Sequence, residues 1–521
     1  MRRDAASGRH FRVKGSAEDS RESLLRRATR KFSFEFPERF LRDLTLQTTG
    51  NYLSTALLLA RGILLARLLG PANLGVYATV GIVIAYASYA DLGSGRVPSR
   101  EIPLALGGGQ AQEAEEWRWY GLAASTATAL LAAICLAGYV VVRWSSLQAD
   151  LRFGLLTACV VLVSSALNSE QQVILRAQQH FGRLNALLVL TATVSLVAGL
   201  VGAVAAGVRG VFVSQVVAFS LAAAASLVLG GLPRPRPIRA AFLSRLLKAG
   251  IPFALISLVG YNLINIDQVM VVALLGGNAL GTYMPVLYAG SAVALFPNAL
   301  LIAMSSRLLQ RYGRDSTIEA IAGLTWRPVQ GLAAVMPLLC GLAWVLGPWG
   351  IEWFLPDYAS AIGPLRVYVV GVFFLGLNMG TSSVLYAINK HKYDIPIVAG
   401  SIVLNVLLDL AFVGWAHWGL MGIALGSMSA YFAYWMVHTM LVRHYFGYRI
   451  RPSLILNLAS GWPGFALAAA NVAAWATGNL WGSARWFGIV LLGGCVALAV
   501  VRWRGAGLWT IGRRDSESPS T

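Results

Sequence analysis

The sequence predicts an all-α, polytopic membrane protein of about fourteen transmembrane helices, arranged as two six-helix lobes in parallel repeat plus two extra C-terminal helices. Three observations lead to this prediction. The 521 residues are 57% hydrophobic and only 12% charged, with a mean hydropathy of +0.63, whereas soluble proteins carry roughly a quarter charged residues. Long apolar stretches follow one another along most of the chain, and one half of the chain resembles the other.

The apolar stretches have the length of membrane spans. A helix needs about 20 apolar residues to cross the hydrocarbon layer of a bilayer. Runs of this length are separated by short segments that hold most of the ionisable residues. The fourteen predicted spans are 45–65, 73–94, 119–142, 153–175, 184–206, 210–230, 249–275, 280–304, 328–348, 363–388, 394–415, 419–442, 455–477 and 484–502.

The distribution of positive charge predicts the orientation of these spans. With the N-terminus inside, the inside segments hold 35 of the 42 Lys and Arg residues. The outside segments hold five, Arg67, Arg143, Arg152, Arg209 and Arg485. Because cytoplasmic loops of membrane proteins collect Lys and Arg, both termini are predicted to be cytoplasmic. The same rule accounts for the net charge of +19 without a nucleic-acid partner.

An internal repeat relates the first six spans to the next six. Three pairs of segments match in order and at similar helix boundaries, with offsets of 206, 210 and 212 residues: 68–77 with 274–283, 167–168 with 377–378, and 207–210 with 419–422. A unit of six helices returns the chain to the side on which it started. Both copies therefore enter the membrane in the same direction, which is the parallel kind of transporter repeat.

The repeat sets the predicted domain organisation. Two lobes of this kind enclose a cleft, and rocking of one lobe against the other exposes the cleft to each side in turn. The predicted parts are a basic cytoplasmic N-terminal tail (1–44), an N-lobe (45–230), a cytoplasmic linker (231–248), a C-lobe (249–442), two further spans (455–502) and a cytoplasmic C-terminal tail (503–521).

Several motifs carry a family resemblance. The first span and its exit read Ala60-Arg61-x4-Ala66-Arg67-Leu68-Leu69-Gly70-Pro71, followed by Gly75-x-Tyr77, and the second span ends in Asp91-Leu92-Gly93. Asp267 and the stretch 275–283 in the C-lobe fit the same pattern. In these residues the chain resembles the polysaccharide transporter family, the O-antigen and exopolysaccharide flippases of the multidrug/oligosaccharidyl-lipid/polysaccharide exporter superfamily. The opening motif is also similar to that of the lipid II flippase.

The resemblance implies a flippase of a bacterial inner membrane. Such a protein exports undecaprenyl-pyrophosphate-linked oligosaccharide from the inner to the outer leaflet, for lipopolysaccharide or exopolysaccharide biosynthesis, through a largely cationic cavity between two lobes. In the lipid II flippase the arginine at the position of Arg61 faces this cavity. The expected partners are the lipid-linked glycan and membrane lipid. H+ or Na+ are candidate coupling ions, and association with a polysaccharide polymerase complex is compatible with the role.

Polar residues inside spans supply the candidate substrate site. An ionisable group in a span costs several kcal/mol by insertion scales and is a functional candidate by default. Arg61 is the strongest, since a guanidinium is always charged and binds phosphate oxygens bidentately. Outward snorkelling or pairing with an acid is the structural alternative. The other candidates for headgroup or cavity contacts are Arg366, Gln47, Asn51, Asn262 and Asn265, although such amides more often tie helices together.

Acidic residues inside spans supply the candidates for ion coupling or gating: Asp267, Glu170, Asp91 and Asp409. Asp267 lies 206 residues after Arg61, the offset of the repeat. The two residues are therefore expected at equivalent positions in the two lobes. Three roles remain open for Asp267: a salt bridge with Arg61 across the cleft, binding of the coupling ion, or a static structural pair.

The sequence argues against an enzyme. There is no phosphate-binding loop of the kind that precedes ATP hydrolysis, the histidines have no metal-ligand spacing, and no cofactor is expected. Two rival functions stay open. One is a cation-coupled drug antiporter of the same superfamily, which the acidic residues favour. The other is a membrane polysaccharide polymerase or ligase, which the short predicted external segments disfavour.

Overall fold

The computed structural model of the chain describes residues 38–446, apart from 92, 94, 238, 316–317 and 388–392, and gives the backbone alone for several stretches such as 38–48, 299–331 and 379–387. Every regular element in the described part of the chain is helical, so the predicted all-α class is confirmed. The predicted N-terminal tail up to residue 37, the spans 455–477 and 484–502, and the tail from 503 lie outside the described residues.

The described residues form eleven α-helices. In chain order they are α1 (Glu38–Ala87), α2 (Arg96–Gly107), α3 (Ala111–Val142), α4 (Ala149–Ala177), α5 (Phe181–Gly230), α6 (Ala240–Leu275), α7 (Gly277–Asp315), α8 (Ile318–Phe354), α9 (Ile362–Ala387), α10 (Asp394–Asp409) and α11 (Gly419–Phe446). Short 3-10 turns at Ser88–Asp91 and Pro356–Ala361 and a π-helical turn at Leu410–Trp415 connect or extend them.

Ten described helices are long and apolar enough to cross a membrane, and two of these, α1 and α5, fold back on themselves. In α1, Arg61 Nη1 lies 2.7 Å from Tyr77 Oη, whereas a straight helix would separate the two residues by about 24 Å. In α5, a Cβ on Gly202 would collide with the carbonyl oxygen of Gly210. The ten helices therefore account for the twelve spans predicted between residues 45 and 442.

The turn at which α1 reverses direction in the first half of the chain has an equivalent in the second half, between α6 and α7. Gly70, where α1 turns, has φ 71° and ψ 171°, and Gly276, which separates α6 from α7, has φ 87° and ψ 170°. This region of backbone space is open almost only to glycine. The two glycines are related by the offset of 206 residues seen in the sequence repeat. We call the end of the molecule that carries these turns the Gly70 end.

Helices α1–α5 pack into one lobe and α6–α11 into a second, here the N-lobe and the C-lobe. The main contact between them runs along α1 and α7. At the Gly70 end this contact is made by backbone: a Cβ on Gly75 would collide with the carbonyl oxygen of Gly277, and one on Gly281 with that of Pro71. Gly75 and Gly281 are repeat equivalents, so each lobe presents the same glycine to the other.

The opposite end, here the linker end, holds the segment that joins the lobes. Trp119 Nε1 donates to the carbonyl of Arg236 at 3.0 Å, and Tyr120 Oη donates to that of Pro237 at 2.7 Å. Helix α6 then begins at Ala240, earlier than the predicted span, because Phe242 stacks on Tyr120 with ring centroids 4.3 Å apart. Hydrogen bonds and ring stacking therefore fix the linker and the start of α6 to the first turns of α3.

A candidate headgroup site and a candidate ion site in equivalent positions

Arg61 lies at the centre of a polar cluster in the N-lobe. Its Nη1 donates to Tyr77 Oη at 2.7 Å and its Nε donates to the carbonyl oxygen of Ser195 at 2.9 Å. Gln215 Nε2 donates to the same Tyr77 oxygen at 3.0 Å. These four residues, the Arg61 cluster, come from the two arms of α1 and the two arms of α5. Gly199 makes room for them, since a Cβ there would stand 2.9 Å from Arg61 Nε.

The charge of Arg61 is not neutralised by a carboxylate: among the described residues it forms no ion pair. The guanidinium carries five N–H donors, and its contacts are Ser195, Tyr77 Oη and the face of the Tyr77 ring, 5.4 Å from the guanidinium carbon. The hydroxyl of Tyr77 accepts two hydrogen bonds, which leaves its own proton free to donate. The half-buried cluster therefore offers donors and a positive charge to an anion.

The Arg61 cluster lies at the boundary between the lobes. The neighbouring Gly62 packs against the ring of Tyr288 on α7, in the C-lobe. Tyr288 interacts electrostatically with both Arg61 and Tyr77. Arg61 is thus held inward, against α5 and beside α7, rather than turned toward lipid.

Asp267 lies at the centre of a second polar cluster, inside the C-lobe. Its side chain is fully buried. Asn405 Nδ2 on α10 donates to Asp267 Oδ1 at 3.1 Å, and Ser427 Oγ on α11 donates to Asp267 Oδ2 at 2.6 Å. Asp409, one helical turn after Asn405, interacts electrostatically with Asp267. These four residues are the Asp267 cluster.

The Asp267 cluster contains buried oxygen atoms without partners. Asp409 is also fully buried, and neither of its carboxylate oxygens has a hydrogen-bond partner among the described residues. The same holds for Oδ1 of Asn405. A buried acceptor without a donor, and above all a buried charge without compensation, is costly. The arrangement therefore favours a positive ligand among these oxygens.

The two clusters occupy equivalent positions in the repeat but have opposite charge. Three members of the Arg61 cluster and the neighbouring Gly199 match the four residues of the Asp267 cluster at the offsets of 206, 210 and 212 residues found in the sequence: Arg61 with Asp267, Ser195 with Asn405, Gly199 with Asp409, and Gln215 with Ser427. Where the N-lobe has a glycine that admits the guanidinium, the C-lobe has a second carboxylate. Equivalent positions in the two lobes thus hold a basic group in the N-lobe and acidic groups in the C-lobe.

The structure does not bring Arg61 and Asp267 together. The hydrogen bonds that Arg61 donates go to Tyr77 and Ser195, which both belong to the N-lobe. The two carboxylate oxygens of Asp267 accept hydrogen bonds from Asn405 and Ser427, which both belong to the C-lobe. The salt bridge across the cleft that the sequence left open is therefore absent. Equivalence in a parallel repeat places two residues at similar depth in two lobes, but it does not make them face each other.

The asparagine and glutamine side chains predicted to contact sugar do not form one group in the structure. Asn262 Oδ1 accepts from Tyr86 Oη at 2.7 Å, and this bond joins α6 to α1 across the lobes. Asn265 Nδ2 donates to the carbonyl of Tyr261 in its own helix. Asn51, on the first arm of α1, is half-buried. The side chain of Gln47 lies outside the described residues.

The remaining predicted ionisable residues lie away from both clusters. Arg366 is only 4% exposed and its guanidinium lies over the ring of Trp344 at 4.7 Å, in the interior of the C-lobe. Its burial means that it neither snorkels outward nor is open to a cleft in this conformation. Asp91 and Glu170 lie together in the N-lobe, beside a separate cavity at the linker end.

Comparison with known proteins gives a family match over part of the chain. Residues 64–302 match the family described as polysaccharide biosynthesis protein. A comparison with curated proteins gives no match.

Solved structures share the fold. An inward-facing multidrug-resistance MATE-family transporter of the MOP superfamily aligns with a TM-score of 0.64 at 18% identity, over 75% of this chain and 94% of its own. The lipid II flippase MurJ in an inward closed conformation aligns with a TM-score of 0.64 at 14% identity, over 89% and 99%. A MOP-superfamily transporter from Pyrococcus furiosus, whose binding pocket is described as reversed in polarity, gives 0.58 at 17% identity, over 78% and 94%.

The chain is therefore a multi-pass α-helical membrane protein with the fold of the MATE-family transporter and of MurJ, and the match over residues 64–302 supports its predicted resemblance to the polysaccharide transporter family.

Proposed function

We propose that this protein carries an undecaprenyl-pyrophosphate-linked oligosaccharide from the inner to the outer leaflet of a bacterial inner membrane, by alternating access of its two lobes. The observation that carries the proposal is the guanidinium of Arg61, which lies at the boundary between the lobes without a carboxylate partner. An ionisable group inside a membrane span costs several kcal/mol, and binding of an anionic substrate would explain why this position carries a guanidinium.

The donors of the Arg61 cluster suit a pyrophosphate. A guanidinium binds two phosphate oxygens at once through its planar fork, and the free proton of Tyr77 Oη adds a neutral donor beside it. In the low dielectric of the protein interior such contacts are stronger than in water. The half-buried amide of Asn51 on α1 is the candidate for a contact with sugar hydroxyls, whereas both polar atoms of Asn262 on α6 are engaged, by Tyr86 and by the carbonyl of Leu258.

The contacts between the lobes differ at the two ends. At the Gly70 end, backbone touches backbone through Gly75 and Gly281. Toward the linker end, Tyr86 and Tyr89 of the N-lobe contact Tyr261 of the C-lobe with ring centroids 5.6 and 5.3 Å apart, and the backbone of Gly93 abuts the carbonyl of Gly250. With the linker end cytoplasmic, as the charge distribution predicts, this conformation has contacts between the lobes toward both sides of the membrane.

The Asp267 cluster is proposed to bind the coupling cation, a proton or Na+. Asp267 and Asp409 supply charge, and the unpartnered Oδ1 of Asn405 supplies a neutral oxygen. Hard monovalent and divalent cations prefer oxygen ligands of this kind. Because both carboxylates are fully buried, the cluster is closed to a bulky organic cation in this conformation, which weighs against drug export.

Replacing Asp267 by asparagine is expected to uncouple transport. The amide keeps the shape but removes the negative charge that the cation neutralises. In vesicles, we expect gradient-driven transport to fall at least about tenfold, the effect of about 1.4 kcal/mol, and to lose its dependence on Na+ or on pH. Asp150→Asn is the matched control, since Asp150 is exposed and pairs with Arg209 at 2.6 Å. An Asp267→Asn protein that still follows the gradient would exclude this assignment.

The function itself is tested with the substrate. Deletion of the gene should abolish a surface polysaccharide and leave its lipid-linked intermediate in the inner leaflet. Purified protein in vesicles should move a short undecaprenyl-pyrophosphate glycan and leave an ethidium gradient unchanged. Transport of the drug cation without the glycan would support the antiporter instead, and a change in glycan chain length without translocation would support a polymerase.

A further inference from the structure

A row of polar side chains runs along one face of α11 in the C-lobe. Ser427, Tyr431, Tyr434 and His438 follow one another at spacings of four, three and four residues. In a helix with 3.6 residues per turn this spacing places them one above the other, over about 17 Å of the axis. All four are buried. We call these four residues the α11 polar row.

The row connects the Asp267 cluster to the linker end. At one end of the row, Ser427 Oγ donates to Asp267 Oδ2 at 2.6 Å. Because successive spans reverse direction, α10 begins and α11 ends at the linker end, where His438 Nε2 lies 2.7 Å from Asp394 Oδ1. Tyr434 Oη donates to the same oxygen at 3.4 Å. The side chain of Asp394 is 17% exposed, so the row reaches the protein surface there.

Buried polar atoms along the row lack partners. Tyr431 Oη, His438 Nδ1 and the adjoining Thr439 Oγ1 have no hydrogen-bond partner among the described residues. Buried polar atoms are nearly always satisfied, by protein or by ordered water, and each of these three carries a lone pair that can face a cation. Ionisable groups inside spans commonly mark the path of an ion. The unpartnered atoms therefore indicate a path along which water or a passing cation supplies the missing contacts.

The N-lobe forms the equivalent helices without this row. At the offsets of 210 and 212 residues, the positions equivalent to Asp394, Tyr431, Tyr434 and His438 hold Leu184, Phe219, Ala222 and Ser226. The fold therefore does not require a carboxylate, a phenol or an imidazole at these positions. They occur in the lobe that also holds the anionic Asp267 cluster.

We propose that the α11 polar row is the route by which the coupling cation passes between the Asp267 cluster and the linker-end surface. The proposal rests on the proposed role of the Asp267 cluster as the cation site. With the linker end cytoplasmic, the cation leaves to the inside along this route, and Asp394 supplies negative charge at its mouth.

The surroundings of the row suit a cation. The titratable groups that interact electrostatically with Tyr431, at the middle of the row, are Asp267, Tyr283 on α7 and Tyr368 on α9 in the described part of the chain. None of them is a lysine or an arginine that would repel a cation. The ring of Tyr368 lies edge-on to that of Tyr431, with centroids 6.4 Å apart.

Thiol labelling tests the route without substrate. The probe is Ag+, a small monovalent cation that reacts with thiols, added to inside-out vesicles that hold a cysteine-free form of the full chain. We expect Tyr431→Cys and Tyr434→Cys to react at least about tenfold faster than Ala430→Cys, a difference of about 1.4 kcal/mol in the barrier. Ala430 is fully buried beside Tyr431 but lies off the row. Trp435→Cys removes a large buried ring from the same helix and should also react slowly, which controls for the space that a lost ring leaves.

Transport tests whether the route serves coupling. The variant that combines Tyr431→Phe with Asp394→Leu carries the residues that the N-lobe has at these positions. We expect its glycan transport under a Na+ or pH gradient to fall at least about tenfold, while exchange of glycan between leaflets without a gradient continues. Separate Na+ and pH gradients identify the cation. His444→Gln, at an exposed position near the end of α11, is the matched control.

The outcomes separate clearly. Fast labelling on the row alone, with loss of gradient-driven transport alone, supports the route. Equal labelling of Tyr431→Cys, Trp435→Cys and Ala430→Cys overturns it, and so does full gradient-driven transport in the double variant. Loss of exchange together with driven transport also overturns it, because the two residues then act on lobe movement. If Asp394→Leu fails to fold, Asp394→Asn takes its place. Labelling uses no glycan, so it decides on the route even if the vesicles move no glycan.

Discussion

Replacing Arg61 by alanine is expected to lower transport of the lipid-linked oligosaccharide about 100-fold while the protein remains folded in the membrane. A charged hydrogen-bond pair contributes up to about 3 kcal/mol, which corresponds to roughly that factor in affinity. Folding should survive because Tyr77 Oη keeps its bond from Gln215. The measurements are complementation of a gene deletion, flipping in vesicles, and the amount and melting temperature of the purified variant.

Two variants make this result specific. Arg61→Lys keeps the charge but loses the planar fork, so we expect an intermediate defect of about tenfold. Arg67→Ala is the matched control on the same arm of α1: Arg67 lies at the Gly70 end, exposed, with its guanidinium over the ring of Phe354 at 4.4 Å. Its loss should change transport less than about twofold. Normal polysaccharide output from the Arg61→Ala strain would remove Arg61 from the substrate site.

Hydropathy is sufficient to predict most of the helices, because lipid-facing residues are apolar regardless of their partners. The predicted span 394–415 coincides with an observed one, Asp394–Trp415, and the predicted ends at 142 and 275 are the observed ends of α3 and α6. Helix α2 escapes this kind of prediction. Its 12 residues are too few to span a bilayer, and it is amphipathic, with Val97 and Ile102 buried.

The candidate sites were only partly predictable. Charged residues inside apolar spans stand out in a sequence, so the positions of Arg61, Asp267 and Asp409 can be picked out without a structure. Their partners are uncharged and common: Tyr77, Ser195 and Gln215 in one cluster, Asn405 and Ser427 in the other. Which face of each helix meets which neighbour depends on helix rotation, which hydropathy does not determine.

The repeat offset could have identified the uncharged members of the Asp267 cluster from the sequence. Applied to Ser195 and Gln215, offsets of 210 and 212 lead to Asn405 and Ser427, the two donors to Asp267. A polar residue whose repeat equivalent is also polar stands out in otherwise apolar helices. The offset alone left open whether Arg61 and Asp267 pair, which was one of three roles considered for Asp267. A rotation about an axis along the membrane normal relates residues at one depth, and only lobe-to-lobe packing decides whether they touch.

The second large effect is expected at the contact between the lobes at the Gly70 end. Gly281→Val would place a side chain against the backbone of Pro71 and Gly75, where neither partner can yield by changing a rotamer. Overpacking costs up to about 3 kcal/mol, which shifts the ratio of closed to open molecules at this end about 100-fold. Transport should fall by a similar factor, because a lobe pair that cannot close cannot complete the cycle.

Accessibility separates this mechanism from misfolding. In a cysteine-free background, a cysteine replacing Leu280, the fully buried neighbour of Gly281, should react with a membrane-impermeant maleimide from outside only when Gly281→Val is present. Gly75→Val, on the repeat-equivalent glycine, should give the same result. Gly81→Val is the control in the second arm of α1, where a Cβ meets nothing within 4 Å. Loss of transport in Gly281→Val with Leu280→Cys still protected would mean that the valine acts inside the lobe, and that closure by the paired glycines is not the step it blocks.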